Sequence, residues 1–184
     1  MENVLPHNRI LPIIKEQLPD FKKGPKQSSP DYYGYNNKNN QFEFEQKTFT
    51  INPNFDIGNF TSYISQLCEQ DGLFRKLLNT KYLIFEYIID KNNILIIKKF
   101  HYLHVWNLVS YNKKYPISMQ VKKNMWYNIR PDRVSKWYKE EKTFHIFVKN
   151  IIKCINECHH IENKQQKISN IQEQYDELVS KYTL

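Results

Sequence analysis

Apolar and polar positions alternate most plainly over residues 41–47. Phe42, Phe44 and Gln46 fall on one side, and Glu43, Glu45 and Lys47 on the other, the period of a β-strand. Just upstream stands Pro30-Asp31-Tyr32-Tyr33-Gly34-Tyr35, a second short strand. The Asn-rich residues 36–40 between them favour a turn, because Asn tolerates left-handed dihedrals and hydrogen-bonds its own backbone. A hairpin over 30–47 is expected, and it would bring Asp31 back beside Glu45.

Elsewhere the period is helical or continuous. Residues 8–18 predict a short helix with Ile10, Leu11, Ile13, Ile14 and Leu18 as its apolar set. Residues 19–29 read as a basic loop in which Lys22, Lys23 and Lys26 are candidate phosphate contacts or simply solvated. Residues 56–59 offer N-caps for a helix through Phe60, Tyr63, Ile64 and Leu67, and 73–78 extend it past Gly72. The run 82–89 is nearly all apolar, the mark of a central strand covered on both sides. Residues 90–93 turn, and 94–97 start a partner strand that continues toward 101–106. Ile117, Met119 and Val121 alternate with Ser118, Gln120 and Lys122; a tight turn at Lys123-Asn124 leads to a strand over 126–130. Asp132 or Ser135 is expected to cap a long helix striped by Val134, Trp137, Phe144, Phe147, Val148, Ile151, Ile152 and Ile155. Residues 161–184 predict a further helix, suited to a partner helix, a dimer contact or its own domain.

At 184 residues the chain is expected to be a single domain, 1–184, with helices over 132–184. With 40% hydrophobic and 25% charged residues it is globular rather than disordered. Lys and Arg (27) exceed Asp and Glu (19) by 8, which suits a polyanion or serves only solubility. Three Cys without regular spacing point away from a disulfide scaffold. The start is not a signal peptide, and no apolar run approaches the roughly 20 residues of a membrane span. A cytoplasmic protein without membrane association is expected. Only four Gly are present, and no phosphate-cradling loop, nucleophile elbow or dinucleotide fingerprint occurs.

The chemistry concentrates in the first hairpin. Two acids side by side hold a hard divalent cation through oxygen. A neighbouring Lys orients or deprotonates a water and stabilises charge building on phosphorus. Pro30-Asp31 followed by Glu45-Gln46-Lys47, with thirteen residues between the two acids, resembles the P-D…(D/E)-x-K signature of the restriction-endonuclease-like nuclease superfamily. Gln46 departs from it, since the middle residue is usually apolar. The resemblance implies an α/β (α+β) fold: a mixed sheet flanked by helices in the order α-β-β-β-α-β, with C-terminal helices. It implies Mg²⁺ held by Asp31, Glu45 and the backbone carbonyl of Gln46, with Asp31, Glu45 and Lys47 catalytic. Glu16 is a weak candidate for an extra acid and Glu86 for a ligand or its neighbour; a surface Glu and a strand-end Glu are the plainer readings. A solvated, charge-bearing hairpin is the plain alternative for the motif as a whole.

Residues 115–131 are the second functional stretch. Gln120, Lys122, Lys123, Asn124, Asn128 and Arg130 combine forked and planar donors with ammonium groups beside Trp126 and Tyr127. Arg reads guanine and Asn or Gln reads adenine in the major groove, while Lys anchors phosphate. The segment resembles base-reading elements of type II restriction enzymes, though an ordinary amphipathic hairpin fits as well. Cys154, Cys158, His159 and His160 cluster, but no second pair stands at zinc-finger spacing. His101 and His104 on a strand would face opposite ways. The expectation is a metal-dependent, sequence-specific double-stranded DNA endonuclease of a restriction system, homodimeric if its target is palindromic. The alternatives are a non-catalytic nucleic-acid-binding or interaction protein, and a nuclease-fold subunit of a larger assembly.

Overall fold

Strand β3 (Gln41–Phe49) is the third of five in a mixed sheet. The computed structural model describes residues 12, 22–24, 31–35, 41–112 and 114–182. The expected helix over 8–18, Glu16, Lys26 and the turn at 36–40 therefore lie outside the described residues, apart from Pro12. The chain folds as two compact units, one within Met1–Asn52 and Asn79–Leu103, the other within Pro53–Leu78 and His104–Leu184. Helices and mixed strands make it α+β, the class expected.

The first unit contains β1 (Lys22–Lys23), β2 (Tyr32–Tyr35), β3, β5 (Thr80–Ile89) and β6 (Leu95–Leu103), hydrogen-bonded in the order β1-β2-β3-β5-β6. Only β3 and β5 run parallel; the other pairs are antiparallel. On one face Tyr32, Phe44 and Phe85 form a buried cluster against Leu83 and Ile97. The Tyr32 and Phe44 ring centroids are 5.6 Å apart. Each such side chain removed from water contributes about 1.5–3 kcal/mol. On the other face Phe49, Tyr82, Ile84, His101 and Leu103 are buried. Strand β5 is thus buried on both sides, as its apolar run predicts. Strand β6 is an edge; it exposes Ile96, Phe100 and Tyr102, and its exposed Lys98 and Lys99 oppose pairing with another strand.

The second unit contains β4 (Gly58–Asn59), helix α1 (Phe60–Leu67), helix α2 (Val105–Leu108), β7 (Met119–Lys122), β8 (Met125–Ile129), helix α3 (Phe144–Glu157) and helix α4 (Lys164–Tyr182). Strands β4, β8 and β7 form an antiparallel sheet in that order. Among the offered caps Asn59 is used: its Oδ1 accepts the Ser62 N–H at 3.1 Å. Helix α1 buries Phe60, Tyr63, Ile64 and Leu67, as its spacing predicts. It stops at Leu67, and a separate π-helical turn spans Phe74–Asn79 rather than a straight extension. Gly72 closes the stop, where a Cβ would lie 2.6 Å from the Leu67 carbonyl oxygen. Gln174 of α4 donates to that oxygen at 2.9 Å and accepts the Leu73 N–H at 3.0 Å, satisfying groups that a helix end leaves open.

Lys22 and Lys23, expected in a loop, form β1 against β2, and two further elements differ from expectation. The strand continuing to 101–106 ends at Leu103, because Val105 and Leu108 bury together on a short helix and the His104 Nδ1 lies 3.0 Å from the Leu77 oxygen. The long helix from 132 begins only at Phe144, with Thr143 as its cap. Residues 138–142 hold no apolar residue but Tyr138, so they have no stripe to bury. Trp137 is instead locked in by its indole N–H on the Asp132 oxygen, and the Lys142 ammonium donates to the Asn107 oxygen at 3.0 Å. Helix α4 packs on α3, with Ile171 and Leu178 buried and the Tyr175 hydroxyl 2.7 Å from His145 Nδ1.

Candidate active site

The β2–β3 register pairs Tyr32 with Phe44 and Tyr33 with Glu43. Asp31 directly precedes this paired stretch. The Gln46 amide donates to Asp31 Oδ2 at 2.8 Å. The bond fixes one carboxylate oxygen and leaves acceptor capacity on the group. Along β3 the alternation is observed directly. Phe44 and Gln46 are buried, and Glu43, Glu45 and Lys47 are half-buried on the opposite face. Glu43 is engaged by Thr80, whose hydroxyl donates to it at 3.3 Å. Glu45 and Lys47 lie level with Tyr82 and Ile84 of β5. Burial, and then the Asp31 charge, push the adjacent Tyr32 phenol up to about 12.

Two carboxylates at one strand end suit a divalent cation that keeps several waters, as Mg²⁺ does. Among the described residues no group of three or more His, Cys, Asp or Glu is gathered to hold a metal. Glu86 is four residues beyond Tyr82, the register partner of Glu45, about 13 Å along the strand. It faces Lys99 on β6 instead. Gln46 is 8% exposed, and its Oε1 accepts no hydrogen bond among the described residues; an apolar residue would carry no such penalty.

The β7–β8 hairpin turns at Lys123 and Asn124, both left-handed, at φ 48° and 64°. Two such residues make the tight turn that matches strand twist. Asn tolerates that region; Lys at φ > 0 costs about 1 kcal/mol. Lys122, Lys123 and Asn124 are exposed, and the Lys122 ammonium lies over the Tyr127 ring, 4.5 Å from its centroid. Three other candidates are occupied within the unit. Asn128 is buried and donates to Gln120 Oε1 at 3.3 Å. Arg130 pairs with Asp56 at 3.1 Å and donates to the Asn54 oxygen.

Other residues hold the hairpin from a distance, and no local pattern announces them. The Asn59 Nδ2 donates to the Tyr127 oxygen at 3.2 Å, and His160 Nε2 lies 3.1 Å from the Trp126 oxygen. A carbonyl only accepts, so Nε2 carries the proton and Nδ1 faces the Cys158 thiol at 3.3 Å. Burial pushes the Cys158 thiol up and Cys154 up to about 12, the behaviour of inert core thiols. His101 is buried and stacked 6.4 Å from Phe49; burial, then Lys99, lower its pKa.

Comparisons with known proteins bear on the family and the fold. The sequence pattern of the NgoBV restriction endonuclease family matches residues 13–184. The type II restriction enzyme NlaIV of Neisseria lactamica is 33% identical over 119 residues, 63% of this chain. That alignment spans 46% of the curated relative's length. The solved NlaIV restriction endonuclease superposes with a TM-score of 0.75 at 23% identity, over 96% of this chain and 74% of that one, which shows a shared fold. No described helix is long and apolar enough to cross a membrane.

Proposed function

This chain belongs to the NgoBV restriction endonuclease family, and from that premise we propose that it is a metal-dependent, sequence-specific double-stranded DNA endonuclease. The observation that carries the proposal is the Asp31 carboxylate held by the Gln46 amide at 2.8 Å, within the Glu45-Gln46-Lys47 stretch. Asp31, Glu45 and the Gln46 carbonyl would hold Mg²⁺. When bound, the cation neutralises the scissile phosphate and lowers the pKa of water. Lys47 orients the attacking water and takes up charge that builds on phosphorus. The water oxygen bonds to phosphorus, the bond from phosphorus to the departing sugar oxygen breaks, and that oxygen gains a proton. The Gln46 amide keeps Asp31 turned toward β3, so the carboxylate is positioned before substrate arrives.

Lys122, Lys123 and Asn124, exposed at the hairpin turn, contact DNA. Gln120, Asn128 and Arg130 shape the strands behind that turn. A homodimer acting in the cytoplasm on a two-fold target fits this reading, with 1–184 acting as a single nuclease domain. The test is Asp31→Ala, Glu45→Ala and Lys47→Ala, each assayed on plasmid DNA with Mg²⁺. Cleavage is expected to fall by about a hundred- to thousandfold in each, with DNA binding retained. Full activity in any one variant removes that residue from the mechanism.

A further inference from the structure

Strand β8 carries a bulge. Gln120 pairs with Asn128, yet the next residue, Val121, pairs with Trp126, so Tyr127 has no opposite number on β7. An extra residue of this kind re-aims its side chain and sharpens local twist. The bulge is held from outside the hairpin at both of its carbonyls. His160 reaches the Trp126 oxygen and Asn59 the Tyr127 oxygen. Trp126 is wedged between Phe60 and Tyr115, ring centroids 5.7 and 5.6 Å away. Tyr127, by contrast, is 42% exposed, beside Met125 at 52%. The Lys122 ammonium lies over its ring, and the exposed Lys123 follows Lys122 in the turn of the same hairpin.

The backbone is thus fixed while the ring is left outside, with an ammonium against it. A core or a protein partner would favour an apolar rim; ammonium groups favour phosphates. We propose that Tyr127 is a DNA-contacting residue of this chain, with Asn59 and His160 as its positioning residues. This rests on the endonuclease reading above. The ring lies against sugar and base edges in a groove while Lys122 and Lys123 engage the flanking phosphates. Asn59 does two things at once: its Oδ1 caps α1 and its Nδ2 holds the bulge.

The two roles separate in one substitution. Asn59→Asp keeps the cap oxygen and removes the donor to Tyr127. Binding is measured in EDTA, across a salt series, on a plasmid fragment that the wild-type chain cuts with Mg²⁺. Tyr127→Ala is expected to weaken binding on the order of tenfold, with the slope of log K against log salt unchanged. Tyr127→Phe should bind within about twofold of wild type, because the ring is kept. Lys123→Gln should instead reduce that slope by about one. Asn59→Asp should weaken binding in the same direction as Tyr127→Ala, and the double variant should be no weaker than Tyr127→Ala alone. Wild-type affinity in Tyr127→Ala, or additive losses in the double variant, overturns the assignment while the nuclease reading stands. A wild-type chain that neither binds nor cuts DNA overturns the nuclease reading, and this one with it.

Discussion

Strand β3 and the β7–β8 hairpin are built on one plan, alternating positions with polar groups along a face: carboxylates and an ammonium on β3, amides and ammonium groups on the hairpin. They differ in where those groups find partners. On β3, Asp31 is drawn to the strand by a backbone amide, a bond from the main chain and not from a charged side chain. On the hairpin, Arg130 is matched by Asp56, and Gln120 by Asn128. There Asn128 and Arg130 donate within the unit and Gln120 accepts, while Lys122, Lys123, Asn124 and Tyr127 are exposed. A polar strand face becomes a site or a support according to what the rest of the chain offers it.

The contrast can be pressed first through Tyr32, beside the Asp31 end of the site. Its folded-state pKa of about 12 lies above the ordinary 10.0. A raised value stabilises the fold fully below pH 10, and that contribution drains away as pH climbs toward 12. Denaturant titrations across this window should show a loss on the order of 2–3 kcal/mol attributable to this group. Tyr32→Phe should flatten that part of the curve; an unchanged profile places the buried phenol elsewhere in the energetics.

A smaller effect tests the other member of the comparison. Arg130→Ala should cost about 1 kcal/mol of stability, because its partner Asp56 is half-exposed and the pair is partly screened. The variant should keep the wild-type salt slope of DNA binding, whereas a slope reduced by one makes Arg130 a phosphate contact. The smallest expected effect has the opposite sign. Gln46→Met should raise stability by up to about 1 kcal/mol in a chemical melt, since the buried Oε1 that lacks a partner disappears. A loss would mean that the amide fills space a thioether cannot.

Much of the site strand is legible in the residues themselves. Alternation over 41–47 gives the faces, and the antiparallel return carries Asp31 to β3, where the Gln46 amide meets it, so local spacing suffices. The Asn59 cap and the Lys123-Asn124 turn are equally local. Gln46 stands out as unsuited to a buried face, and it is indeed buried without a partner for its oxygen. The supports of the hairpin are not legible, because they depend on residues 34 and 68 positions away, His160 for Trp126 and Asn59 for Tyr127. Nor does periodicity reveal that the helix begins at Phe144. Val134 and Trp137 continue a plausible stripe, but a single indole hydrogen bond to Asp132 holds Trp137 in a different conformation.

The parallel pairing of β3 with β5 has a consequence for how such chains diversify. The polypeptide leaves the first unit after β3 and returns for β5, having laid down β4 and α1 of the second unit in between. Neither unit is an uninterrupted stretch of gene. One recombination breakpoint near residue 103 would import a foreign β7 and β8 while retaining the resident β4 that pairs with β8. Exchange of the whole hairpin-bearing unit between relatives demands several breakpoints at once, whereas point substitution at the tip demands none.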